Sequence, residues 1–198
     1  MIQPHLQLAV LRLNDMCVGV QDGMDRFLHT ASLEKMPGAE ALFAWLGKRG
    51  VRTCLLSDYG RRDTMIILDR LGWTVDEEGT VQEVITRQQK HENPIVLAQQ
   101  NAGIGNPRLS FAAVDTPRLL HLANQAWVHF NLAICNGRSS YNELAVAPHH
   151  AMLDSLLQLP NFVLQHLPQP ELPAEPRPAT GVRRVMPRLQ LPRPLSRG

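Results

Sequence analysis

Four short segments hold most of the side chains in this chain that could do chemistry. Residues 14–23 open with Asn14 and Asp15, just after an apolar run that carries Arg12. Residues 57–62 hold Ser57, Asp58, Arg61 and Arg62, residues 86–93 crowd Arg87, Lys90 and His91, and residues 115–118 begin with Asp115. A carboxylate such as Asp15 or Asp115 can attack an electrophile, move a proton or ligate a hard cation. A hydroxyl such as Ser57 can donate to an anion, and a cation such as Lys90 or His91 can neutralise one. Arg12 cannot attack, because a guanidinium stays protonated in proteins. Plainer uses compete with each of these. A serine ending a strand caps a helix or shapes a turn, and a cluster of charges is usually a solvated face.

Other chemistries lack their patterns. Cys17, Cys54 and Cys135 are far apart, each in or beside an apolar run, as expected of buried free thiols in a reducing compartment. Neither CxxC nor HExxH occurs, and the His149-His150 pair has no ordered ligand spacing. GxGxxG, P-loop and GxSxG patterns are absent as well.

The four segments follow strand-like runs. Strands are expected at residues 5–13, 51–56, 83–85, 109–114 and 128–135. Helices are expected at 39–48, 62–71, 94–101, 117–125, 140–144 and 150–159, several marked by proline at the start or glycine at the end. This alternation predicts an α/β fold with a doubly wound, Rossmann-like parallel sheet. Sites in such sheets lie at the carboxyl ends of the strands, where the strand order reverses.

Two domains of organisation are expected: a core over residues 1–163 and a tail over 164–198. Residues 168–198 contain eight prolines and six arginines against two glutamates. Proline removes backbone donors and disfavours helix, so a disordered, extended tail is expected. The tail is basic and the remainder slightly acidic, which argues against a dedicated nucleic-acid reader. No signal peptide and no membrane span is expected, and cytoplasmic residence follows as the expectation.

Several segments, in order, resemble the haloacid dehalogenase superfamily, most closely its phosphonatase-like branch. Residues 37–50, PGAEALFAWLGKRG, resemble the helix before the second strand. Residues 55–73, LLSDYGRRDTMIILDRLGW, resemble the second motif and its helix. Residues 114–117, VDTP, resemble the fourth motif, and 144–160, LAVAPHHAMLDSLLQLP, the end of the branch. The resemblance spans about residues 5–163 and implies a phosphate- or phosphonate-ester hydrolase fold. It also exposes departures from hydrolase chemistry. In residues 10–18, VLRLNDMCV, Arg12 stands where the family keeps its nucleophilic aspartate and Asn14 where it keeps a second acid. Asp15 is a weak substitute nucleophile, displaced by three residues from the position that in-line attack requires. Ser57 matches the hydroxyl that binds phosphate, His91 or Lys90 the basic position, and Asp115 the metal-binding aspartate, while the second metal carboxylate is replaced by Leu119. Residues 19–36 are too few for the family's folded cap.

These departures set the functional expectations. Arg12 is expected to pair with Asp115 and to take the electrostatic place of a metal, so no catalytic residue is assigned and no cofactor is expected. The first reading is a hydrolase-fold protein that has lost activity and serves as a binding, regulatory or scaffold protein. Its partner would be a protein, met at the open carboxyl-end face or through the tail, with no membrane and no specific nucleic acid. The alternative is an active phosphate- or phosphonate-ester hydrolase with relocated groups, and only that reading requires magnesium. A third is an anion-binding module built on Arg12, Ser57 and Lys90 or His91.

Overall fold

The computed structural model describes residues 5–20, 32–88 and 92–167. Six parallel strands form one sheet: β1 (Leu8–Arg12), β4 (Arg52–Ser57), β5 (Glu83–Thr86), β6 (Ser110–Val114), β7 (Phe130–Ile134) and β8 (Ala151–Leu153). A separate antiparallel pair, β2 (Val18–Val20) and β3 (Leu33–Lys35), lies in sequence between β1 and the first described helix. The sheet order is β5-β4-β1-β6-β7-β8. The chain therefore starts at the centre, builds outward on one side, then returns and builds outward on the other. This is the doubly wound α/β fold that the alternation of elements predicts.

Central strands of such a sheet are buried on both faces and read as unbroken apolar runs. β1 (LAVLR) is buried at all five residues, Arg12 included. Its Ala9 and Leu11 join one core, with α1 (Ala39–Gly47), α2 (Arg61–Leu71) and α6 (Leu159–His166). Its Leu8 and Val10 join the opposite core, with α3 (Pro94–Asn101) and α4 (Pro117–Gln125). The short α5 (Tyr141–Ala145) packs Leu144 against Val114, Leu120 and Ala133 in a third cluster.

Local chemistry explains the segments that carried the resemblance. Gly38 precedes α1 at φ 90°, and a Cβ there would meet Leu157 Cδ2 at 2.7 Å. α2 ends at Gly72 in the left-handed region, as glycine permits, and Trp73 then donates its backbone N–H to Leu68. The Trp73 ring packs edge-on against Phe43 and its Nε1 donates to Glu40. Asn93 and Thr116 cap α3 and α4, each with proline in the first turn, and Ser140 with Glu143 forms a capping box on α5.

Two corrections concern the elements. Residues 150–159, expected to be helical, instead form β8, a 3-10 turn (Leu156–Gln158) and the start of α6. Ala151, Met152 and Leu153 pair in parallel with Leu132, Ala133 and Ile134, a long-range partnership that overrides a helix-like local pattern. The β2–β3 pair lies within residues 14–36, where no strand was expected. The expected boundary at residue 163 falls inside α6, and residues 168–198 lie outside the described residues. Among the described residues no helix is long and apolar enough to cross a membrane.

Candidate functional site

The strand order reverses at β1, so the loops leaving β1 and its neighbours β4 and β6 open a crevice at their carboxyl ends. A cavity of about 730 Å³ lies there, lined among others by Arg12, Ser57, Asp58, Thr86, Arg118 and Arg138. Arg12 is the last residue of β1, Asp58 the first after β4 and Asp115 the first after β6. Parallel register therefore carries three chemically strong side chains to one point without any long loop.

Arg12 is 2% exposed and Asp115 fully buried. The Arg12 Nη1 donates to both Asp115 oxygens, at 2.7 and 2.8 Å. Its Nη2 donates to Asp58 Oδ2 at 2.5 Å and lies 3.7 Å from Asp15 Oδ2. One guanidinium thus sits among three carboxylates. Burial lowers its pKa, but Asp115 and Asp58 outweigh burial and raise it above the ordinary arginine value. Cys17 is fully buried nearby; burial, reinforced by Asp115, pushes its pKa up and keeps it a thiol.

The surrounding loops hold this arrangement in place. Asn14 is buried, and its Oδ1 accepts the Asp58 backbone N–H at 2.9 Å, tying the β1 and β4 loops together. Asp15 occupies the left-handed region at φ 63° and is tied through its N–H to Val18. Asp115 Oδ2 also accepts the Arg138 N–H at 2.8 Å. Gly137 presses against the same carboxylate so closely that a Cβ would come within 2.0 Å of Oδ2. Gly137→Ala is accordingly expected to destabilise the fold by about 2–3 kcal/mol, from overpacking against an oxygen that cannot retreat. Urea unfolding of the purified variant checks this, and a wild-type midpoint would show that the β7 loop yields freely.

Ser57 is buried, and its hydroxyl is already engaged. Thr64 Oγ1 donates to Gly60 O, so the 2.8 Å contact between Ser57 and Thr64 uses the Ser57 proton. Tyr59 N–H donates to Ser57 Oγ in turn. In this arrangement Ser57 has no proton left for an anion, and it acts as a turn and helix-start residue. Lys90 and His91, the expected basic positions, lie outside the described residues. Leu119 is half-buried on the cavity wall and presents no carboxylate.

The cavity rim carries Arg87, already named in the third segment, and two cations to which the sequence reading gave no role. Arg118 and Arg138 line it with Arg87, and none of the three forms a salt bridge among the described residues. Gly137 and Arg138 were missed because the loop after β7 was not among the four segments singled out. The rule that could have found it is the one already in use: inspect the carboxyl end of every strand.

A hard divalent cation needs several free oxygen ligands in near-octahedral array. Asp115 offers both oxygens to Arg12 and one also to a backbone N–H, and the guanidinium charge stands beside it. The residues at this site do not fit magnesium. Among the described residues no group of three or more histidine, cysteine or acidic side chains is placed to hold a metal.

No protein-family model matches this sequence. No curated protein matches it either. Solved structures do match in fold. A hydrolase from Pseudomonas syringae superposes with a TM-score of 0.66 at 13% identity, over 82% of this chain and 100% of that one. A haloacid dehalogenase-like hydrolase from Bacteroides fragilis gives 0.64 at 13% identity, over 77% and 99%. The D,D-heptose 1,7-bisphosphate phosphatase of B. bronchiseptica, complexed with magnesium and phosphate, gives 0.60 at 15% identity, over 80% and 98%. At such identities the likeness is one of fold, shared with these hydrolases and this phosphatase.

Proposed function

We propose that this chain is a capless, catalytically degenerate relative of the phosphonatase-like hydrolases, and that it works in the cytoplasm by binding rather than by hydrolysis. The observation that carries this reading is the guanidinium of Arg12 bonded to both oxygens of Asp115 at the strand-order reversal. A protonated guanidinium cannot attack phosphorus, and the same cation repels the divalent ion that an aspartyl mechanism needs. Asp15, the remaining candidate nucleophile, lies 3.7 Å from Arg12 and is held by it electrostatically. Attack would require Asp15 to leave that partner and to reach a near-attack geometry.

The bound partner is a protein that presents an acidic group to the carboxyl-end cavity. Arg87, Arg118 and Arg138 at its rim, without salt bridges among the described residues, support that choice. The proline- and arginine-rich residues 164–198 serve as a second point of attachment.

A phosphatase assay of the full chain with magnesium and a panel of phosphate and phosphonate esters tests the loss of hydrolysis. Turnover is expected to equal that of buffer, in wild type and in Asp15→Asn alike. Turnover that Asp15→Asn abolishes would overturn the reading and establish a hydrolase with relocated groups.

A further inference from the structure

β8 lies at the edge of the sheet, and a histidine makes its first link to β7. His150, just before β8, donates its backbone N–H to Asn131 O at 2.7 Å. Its ring Nδ1 accepts the Asn131 backbone N–H at 2.9 Å. Asn131 is 1% exposed, so this donor depends on its partner within the protein. An imidazole nitrogen accepts only through its lone pair, and both nitrogens of an imidazolium donate. A protonated His150 ring would set two donors face to face and leave a buried backbone N–H unpaired. His150 itself is exposed, so protons reach the ring freely.

A second histidine adjoins this link. The chain leaves α4 through Trp127, at φ 55°, and reaches His129 immediately before β7. His129 is half-buried and edge-on to Phe130, with ring centroids 4.3 Å apart, and Phe130 is edge-on to His150 at 6.5 Å. Burial, then Arg108 and His150, hold His129 below the ordinary histidine value. Among the described residues no carboxylate contributes to that shift. Arg108 is held at this corner by a bond from its Nη1 to Val128 O. Two further histidines complete it: His149, with Nδ1 bonded to Ala147 O, and His166 of α6, stacked on Phe162. His166 Nδ1 meets Phe162 O and must donate, so a second ring proton leaves that bond intact.

We propose that this corner is an acid-sensitive latch, in which proton uptake by His150 and His129 releases β8 from β7. Neutral His129 contributes stability that is present above about pH 6.5 and is lost as the pH falls below it. His150 adds a hydrogen bond that only a neutral ring can make. The same strand reaches the carboxyl-end site. Cys135 N–H donates to Leu153 O at 2.8 Å, and just beyond it Gly137 and Arg138 close on Asp115. Release of β8 therefore loosens the loop behind Asp115.

Amide hydrogen exchange of the full chain at about pH 7.5 and about pH 5.5, corrected for intrinsic exchange rates, tests the latch. Opening of residues 135–138 and 150–153 is expected to rise about tenfold at the lower pH. That is the factor by which a free histidine prefers its protonated form one unit below a pKa near 6.5. β1 is expected to stay better protected than β8 at both pH values. Glutamine keeps a carbonyl acceptor and cannot be charged. The double variant His129→Gln with His150→Gln is therefore expected to open equally at the two pH values, to within about twofold. Arg108→Gln, which alters neither ring, is expected to weaken the response, and His166→Gln to leave it as in wild type. The proposal is overturned if wild-type opening is the same at both pH values, if the double variant responds as wild type does, or if His166→Gln abolishes the response. It is equally overturned if β1 opens as far as β8 at the lower pH, which is acid unfolding of the whole chain. Should the double variant fail to fold, a wild-type response in Arg108→Gln overturns it.

Discussion

Replacing Arg12 with methionine is expected to lower the unfolding free energy by about 3–5 kcal/mol, and the melting temperature by about 10 °C, in denaturation of the full chain. The reason is not the net worth of the ion pair, which desolvation largely cancels. Methionine fills the volume but leaves the fully buried Asp115 without the guanidinium that both its oxygens contact. The Arg138 N–H remains as one donor, too little to solvate a buried carboxylate. A double variant, Arg12→Met with Asp115→Leu, separates the two effects. It removes both charges and is expected to recover much of the loss. Should the double variant be no more stable than Arg12→Met alone, the pair is not an isolated electrostatic unit and the account given for it fails.

Arg12→Asp is expected to be more damaging still, and to be the one variant whose stability depends on magnesium. Asp15, Asp58 and Asp115 all face Arg12, at 3.7, 2.5 and 2.7 Å. An aspartate there makes four carboxylates converge with no cation among them, so a loss of about 5 kcal/mol is expected in metal-free buffer. A divalent ion would then find the oxygen-rich site that the guanidinium now fills. Magnesium at about 100 times its dissociation constant would return about 2.7 kcal/mol. Thermal melts of wild type and variant, with chelator and with magnesium, read this directly. Equal magnesium shifts in the two proteins would show that Arg12 does not stand in the cation's place.

The sequence was most informative where local chemistry decides the structure. The bounds of α3 and α4 match expectation because Pro94 with Asn93 and Pro117 with Thr116 specify a helix start within four residues. The doubly wound sheet followed from the alternation of strand and helix patterns. β8 was misread because three residues at the sheet edge become a strand only through β7, which no window around residue 152 contains. The site was legible in part for the same reason. The loops that carry Arg12, Asn14, Asp15, Ser57 and Asp115 could be found from strand ends. The second carboxylate on Arg12, Asp58, depends on how the β4 loop is tied to Asn14. The use of the Ser57 proton depends on Thr64, a turn of helix away. The positive φ of Trp127 leaves no mark in composition or periodicity.

The single guanidinium among three carboxylates also bears on how this chain can change over time. A natural domain has about 5–15 kcal/mol of stability in all. A substitution at position 12 that introduces a carboxylate would remove a large share of that margin before it could serve any chemistry. A path to an aspartyl nucleophile at this position therefore passes through a state that selection discards, unless other residues change first. Arg12 acts as a ratchet: once its neighbours have adjusted to a built-in cation, it is maintained by folding whatever the protein binds.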